Sequence, residues 1–596
     1  MSVYDYIVIA FYLGFVFLLG PIFKSFSKTA SDFYRCGGGL VWWIAGSSTF
    51  MTTFTAWSFT GGAAKAYETG TFFLLLYLCN FLVLIFTYFF TAARFRQMRV
   101  VTETEAVRKR YGNVNEQVFT WLPIFTTLIL GGIYLYTISV FISSIFPDID
   151  TIYLILGLGG VVMLMTLIGG SWAAIAGDFI QILIVLTITI VMAFLTIQRP
   201  EVGGSVSELV SRLPERHFNW TLFDRSGVIL FFAITLLLNQ LIQNNSMSTT
   251  GGAKYIFAKD GKDAKKASLV SIFGFLLLPW IWMIPALAAT LVHPNLAAEF
   301  PGLKHPNEAA YVSMAITLLP KGLLGLLICA IFAGTLTTLC SYLNLASGTF
   351  VRNFYIRKID KDTSEARQIK IGRIIIFFNG IIWMVVGWYC STLKDVPLFD
   401  LLLRASGAIG IPATITLFYG IFVRKTPPWS AWSTMVVGIV FSTILLIVLD
   451  KDFFNTIMPG KNFNAQEVKD MIIGTTYGVL FIICSAWFFA TKLFYKEDNK
   501  EYVKQVDAFF KEMKTPVDRV AEHSGDLSND VRQYVVIGNL CLIYSSFVLL
   551  LMLIPGNSFK ARMCILFCGA TIAIAGGIIR LTGTRLRKKL MQEDTR

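Results

Sequence analysis

Apolar stretches of roughly 20 residues recur from one end of this chain to the other, each long enough to cross a ~30 Å hydrocarbon layer as a helix. About fifteen can be placed, near residues 3–23, 41–63, 72–94, 118–146, 151–170, 174–197, 226–247, 266–291, 310–350, 370–391, 398–423, 428–449, 471–494, 533–554 and 562–584. The first carries Asp5 near its start rather than a basic segment and is followed by no small-residue cleavage motif, so it reads as a helix and not as a leader. One span breaks the apolar pattern. Ser47 to Gly62 reads SSTFMTTFTAWSFTGG, with a hydroxyl at almost every second position. Either those hydroxyls bond the carbonyl one turn back, or the segment lines a path for something polar, with its backbone free to break and turn carbonyls inward. The Gly61-Gly62 pair, lacking side chains, weakens any second half-helix.

The ninth span contains a counterpart. In CAIFAGTLTTLCSYLNLASGTF, Thr337 and Ser341 are i, i+4 and Thr338 and Ser341 are i, i+3, which puts all three hydroxyls on one helical face. Gly334 lies a turn earlier with its carbonyl unshielded. Adjacent hydroxyls plus the carbonyls of an interrupted neighbour make an oxygen cage for a small hard cation, and the lack of a carboxylate in that set favours a monovalent ion over calcium.

Composition agrees with a polytopic membrane protein: of 596 residues 55% are hydrophobic and only 15% charged. Basic residues follow spans 3, 7 and 9 (Arg94, Arg96, Arg99; Lys254, Lys259, Lys262, Lys265, Lys266; Arg352, Arg357, Lys358) and close the chain at Arg585, Arg587, Lys588 and Lys589. They fall on one side when the N-terminus is outside and the C-terminus cytoplasmic. The formal charge of +14 is then explained by topology and anionic lipid rather than by nucleic acid. The nine cysteines lie mostly within spans, and the four histidines are scattered over loops, so neither a disulfide framework nor a metal site is expected, and no cofactor. No catalytic constellation or phosphate loop accompanies the spans, which speaks against an enzyme.

Ionisable residues within spans are few and costly unless they face protein, water or a partner. Asp178, in AIAGDFIQ, is either functional or an interfacial cap. Asp400 and Arg404 are one turn apart and either neutralise each other or leave Arg404 for an anionic solute. Between residues 492 and 532, Val503, Val506, Phe509, Phe510 and Met513 recur at helical spacing opposite lysines, the pattern of a helix lying in the membrane interface or of a solvated linker helix.

Four segments in this order resemble the sodium/solute symporter family: DFYRCGGGLVWWIAGSSTFMTTFTAWSFTGGAAKAYETG (32–70), GGSWAAIAGDFIQ (169–181), NQLIQNN (239–245) with a basic loop, and LPKGLLGLLICAIFAGTLTTLCSYLNLAS (319–347). The resemblance implies an all-α membrane protein with an inverted repeat of five plus five helices, one extra N-terminal helix and about four C-terminal ones. The first helix of each repeat is broken, here at 47–62 and 232–252. The divisions implied are 1–40, the extra helix and loop; 41–225 and 226–427, the repeats; 428–491, accessory helices; 492–532, the cytoplasmic linker; and 533–596, a helix pair with a basic tail.

By the same resemblance, one sodium falls on carbonyls of Met51, Phe54 and Gly334 and hydroxyls of Thr337 and Thr338. Asp178 and Ser341 match a further sodium or proton site found in some members, with Cys340 where another hydroxyl would help. Candidate solute contacts are Trp57, Ser58, Tyr77, Asn80, Thr235, Asn239 and Arg404, and the pattern of the family's sugar carriers is missing from 231–240, 277–289 and 399–407. The implied function is sodium-coupled symport of a small organic solute by alternating access across the cell membrane, without nucleic-acid partners. Proton coupling through Asp178, or a sensor built on the same core, are the alternatives.

Overall fold

The computed structural model describes residues 1–24, 36, 39–100, 102–218, 227–247, 254–393, 397–457, 465–519 and 527–593. Among them the backbone is helical apart from loops and one isolated bridge, Leu40 to Ala258. Thirteen helices among the described residues are long and apolar enough to span a membrane, so the chain is a multi-pass membrane protein. The expected fifteen exceed this count by the two interrupted spans, which are too short. One stops at Thr53, and the other, Val228–Asn244, has 17 residues.

The helices used below are α1 (Val3–Lys24), α2 (Trp42–Thr53), α3 (Ala56–Phe59), α4 (Gly61–Thr69), α5 (Leu74–Phe86), α6 (Glu103–Tyr111), α7 (Asn113–Ser143) and α8 (Thr151–Ile197). They continue with α9 (Val228–Asn244), α10 (Gly261–Trp282), α11 (Leu323–Thr349), α12 (Glu365–Thr392), α13 (Leu398–Tyr419), α14 (Ser430–Val448), α15 (Ala465–Thr491), α16 (Lys500–Lys514), α17 (Leu527–Leu550) and α18 (Phe559–Glu593).

α11 forms the centre: almost all its side chains are buried, against α1, α2, α7, α8 and α12. A helix apolar all round is stable only when neighbours cover every face. α8 is helical throughout, yet Thr166 and Gln181, about four turns apart or ~22 Å along a straight helix, both line one small cavity beside Leu336, Thr337 and Cys340. The chain therefore folds back between them, and the GGSWAA side chains at the bend are mostly outside the described residues. α17 and α18 pair with each other and lean on α1 and α8, with Phe11 stacked on Phe547 at 3.6 Å.

The first interruption lies within 47–62, at Phe54–Thr55 and again at Thr60 just before the glycine pair. α2 ends at Thr53, and Phe54 (φ −97, ψ 96) and Thr55 (φ −124, ψ 171) are extended before α3 begins. Thr335 Oγ1 of α11 accepts from the Ala56 N–H at 2.8 Å and so satisfies a donor that the break exposes. Gly61 and Gly62, where the helix resumes, also serve packing: a Cβ would meet the Phe399 backbone nitrogen at 2.9 Å or the Phe73 ring at 2.7 Å. The second interruption follows α9, and its residues 248–252 lie outside the described ones.

The apolar face of α16 packs on protein. Tyr502, Val506, Phe509 and Met513 are buried against α6 and the 92–97 helix. Buried Arg110 donates to Tyr502 Oη, to the carbonyls of Gly420, Val423 and Arg424, and to Thr426 Oγ1. Lys109 pairs with Glu512 at 2.6 Å. The same helical periodicity suits a lipid face and a protein face, so spacing alone did not distinguish them.

Candidate functional site

Gly334 brings the two halves of the first expected sodium site together. A Cβ there would stand 2.5 Å from the Phe54 carbonyl oxygen, so the break in α2–α3 lies directly on the α11 backbone. Met51 and Phe54 are buried, and the Phe54 N–H donates to the Met51 carbonyl at 3.1 Å. Thr338 Oγ1 donates to the Gly334 carbonyl at 3.1 Å. Thr337 Oγ1 sits 2.7 Å from Gln181 Oε1 and 2.9 Å from the Ala333 carbonyl. All five residues thus converge on one junction, and buried Gln181 is an addition that the motif reading passed over although it stands in GDFIQ.

One turn nearer the basic face the chemistry changes. Asp178 is fully buried, and Ser48 Oγ donates to its Oδ2. Asp178 Oδ1 has no hydrogen-bond partner among the described residues. Lys254, counted above as a basic loop residue, is 4% exposed and donates to Ser48 Oγ at 3.0 Å and to Ser341 Oγ at 3.3 Å. Its short helical turn is tied down by Leu40 N–H to the Phe257 carbonyl and Arg96 Nε to the Ala258 carbonyl. Lys259 is buried as well, against Asp530, so these two lysines are not solvent-exposed topology markers. Burial pushes the Lys254 ammonium down from the ordinary lysine value, and the Asp178 carboxylate opposes that shift. Burial drives neighbouring Glu103 well above the ordinary carboxylate range, with Lys254 pulling the other way.

A central cavity of about 260 Å³ lies between the interrupted helices and α5, α7, α10, α11 and α13. Trp57, Ser58, Tyr77 and Asn80 line it, and the buried Tyr77 hydroxyl has no protein partner among the described residues. Thr235, Asn239 and Arg404 do not. Thr235 bonds back to the Phe231 carbonyl and faces Gly474 and Gly478 of α15. Asn239 acts one step away, accepting from Gln243 Nε2, which also donates to the Ser406 carbonyl. Arg404 is not paired with Asp400; that carboxylate meets Lys469 at 3.5 Å, and Arg404 Nε has no partner among the described residues.

Gln240, Gln243, Asn244, Thr127, Tyr134 and Ser406 complete much of the polar wall. The i, i+3, i+4 spacing within NQLIQNN already puts the first three on one helical face, a signal that the choice of Asn239 alone overlooked. At the end of the cavity away from the basic loops, Trp57 stacks on Phe399 (5.5 Å, 18°) and donates to the Leu398 carbonyl. Lys65 lies over the same Phe399 ring and pairs with Asp470 at 3.4 Å, both buried.

An oxygen-rich helix break on a central helix, with a polar cavity beside it, defines a secondary transporter. The family model of the sodium:solute symporter family matches residues 33–438, and the chain belongs to that family. It is 25% identical over 461 residues to the sodium/sialic acid symporter NanT of Aliivibrio fischeri, covering 76% of this chain and 89% of that one. It is 26% identical over 463 residues to SiaT of Proteus mirabilis (76% and 91%), and 23% identical over 477 residues to a Vibrio parahaemolyticus sodium/glucose cotransporter (75% and 85%). A solved structure of a substrate-bound, outward-open Na+-coupled sialic acid symporter superposes with TM-score 0.62 at 21% identity, covering 81% of this chain and 98% of that one. The inverted five-plus-five helix architecture follows. The protein is a sodium-coupled symporter of a small organic solute, working by alternating access; it is a transporter and not an enzyme.

Proposed function

We propose that sodium binds at the Met51, Phe54 and Gly334 carbonyls with the Thr337 and Thr338 hydroxyls, and that the co-transported solute is neutral and rich in hydroxyl or amide groups. The cavity lining carries this reading: it offers hydroxyls and carboxamides, and no Lys, Arg, Asp or Glu is among its described residues. A buried carboxylate solute would need a fixed positive partner, and Arg404 is not among the residues that line the cavity. Ser58, Tyr77 and Asn80 contact the solute together with Gln240 and Gln243, while Trp57 on Phe399 closes the end away from the basic loops. The basic loops are cytoplasmic and the N-terminus is outside. The core divides as 41–225 and 226–427, with 428–491 joined to it through Lys65–Asp470 and Asp400–Lys469.

Sodium-dependent thermal shift of the purified protein tests the solute class. Matched pairs of neutral polyols or amides and the corresponding carboxylates are titrated in sodium and in choline buffers. Stabilisation by neutral members in sodium supports the reading. Stabilisation confined to carboxylates overturns it.

A further inference from the structure

The pocket around Asp178 has the oxygens a cation needs, and a cationic side chain already points into it. Lys254 Nζ donates to Ser48 Oγ at 3.0 Å and to Ser341 Oγ at 3.3 Å, and Ser48 Oγ in turn donates to the Asp178 carboxylate. These groups come from α2, α8 and α11, three helices that also meet at the main sodium site. An ammonium has three N–H donors and no acceptor, so it fits a pocket of acceptor oxygens as a small metal cation does. Two further observations mark the pocket as built for positive charge. Asp178 Oδ1 is buried with no partner among the described residues, and Glu103, from α6 on the basic face, is buried with both carboxylate oxygens equally bare. Lys254 is the cation that senses both carboxylates.

We propose that the Lys254 ammonium is the resident cation of the Asp178 pocket, held where a second transported sodium would otherwise sit, so that one sodium accompanies each solute. This rests on the proposed main sodium site, and Lys254 acts beside it as a positioning residue. By joining Ser48 of α2 to Ser341 of α11 it fixes the register between the broken helix and the central helix whether or not sodium is present. Asp178 is then neutralised within the chain and contributes no sodium dependence of its own.

The test counts sodium ions on the full-length protein in detergent, using equilibrium binding of radiolabelled sodium alone. Wild type is expected to bind about one per chain, and Thr338→Ala to weaken that binding about 30-fold. Lys254→Gln and Lys254→Met are expected to bind about two, the extra one lost again when Asp178→Asn is added. Lys254→Arg is expected to keep about one. A residue that only supported the fold would lower binding in these variants and never raise it. Two ions on wild type, reduced to one by Asp178→Asn, overturns the proposal and requires no Lys254 variant to fold. A count that stays at one in both folded Lys254 variants also overturns it. No sodium binding by wild type instead removes the main sodium site on which the proposal stands, an outcome distinct from a count of two.

Discussion

The junction at Gly334 and the pocket at Asp178 are built from the same helices within one turn of each other, yet they treat a cation oppositely. The first presents backbone carbonyls and two threonine hydroxyls, with no formal charge of its own. The second contains a carboxylate and an ammonium linked through Ser48. A cage of dipoles is incomplete until an ion arrives, so its occupancy follows the sodium concentration and ties ion binding to closure of the break. A pocket that holds its own ammonium, as proposed for Lys254, carries a positive charge at all times. A sodium ion ~4 Å from that ammonium would be repelled by about 4 kcal/mol at an effective dielectric of ~20, about a thousandfold in affinity.

Gly334→Val is the severest way to break the contrast, because its side chain needs the space that the Phe54 carbonyl occupies. Sodium affinity is expected to fall on the order of a thousandfold, since overpacking shifts the backbone that supplies the ligands. Radiolabelled sodium binding checks this, with a melting curve to confirm folding. Next, Asp178→Asn leaves a buried ammonium without its carboxylate and should cost about 3 kcal/mol of stability. A double-mutant cycle with Lys254→Gln, read from thermal melts, should return part of that loss; additive losses would mean the two groups are not coupled.

Smaller changes sharpen the main site. Thr338→Ala removes one oxygen and should weaken sodium binding by about 2 kcal/mol, ~30-fold, whereas Thr338→Ser keeps the oxygen and should stay within about twofold. Equal losses in the two would show that the methyl, and not the hydroxyl, matters. The smallest effect is expected from Arg404→Gln, which touches neither site: sodium binding and sodium-driven uptake of the neutral solute identified by thermal shift should stay within about twofold. Abolished uptake would restore Arg404 to the solute site.

Much of this was legible in the chain. The apolar repeats carried the spans, and the hydroxyls at 47–62 marked the interrupted helix, which breaks at Phe54–Thr55 and at Thr60. Thr337 and Thr338 were visible through helical spacing. Lys254 was not: in sequence it is one of five lysines after a span, with nothing to separate it from those that stay at the surface. Asn239 was selected and Gln243 missed because spacing gives relative faces and not which face meets the cavity. The apolar stripe of α16 was visible too, but its partner, the Arg110 cluster, comes from nearly four hundred residues earlier in the chain.

The sequence by itself determined the membrane class, the places of most spans, the polar segment that holds the first interruption and the family. Each of these depends on local composition or on periodicity along one helix. Only the tertiary structure decided which charges are buried, which polar side chains share a cavity and that Lys254 reaches Ser48 and Ser341 beside Asp178. These depend on contacts between helices distant in sequence, and a side chain's electrostatic role is set by the groups that replace water around it.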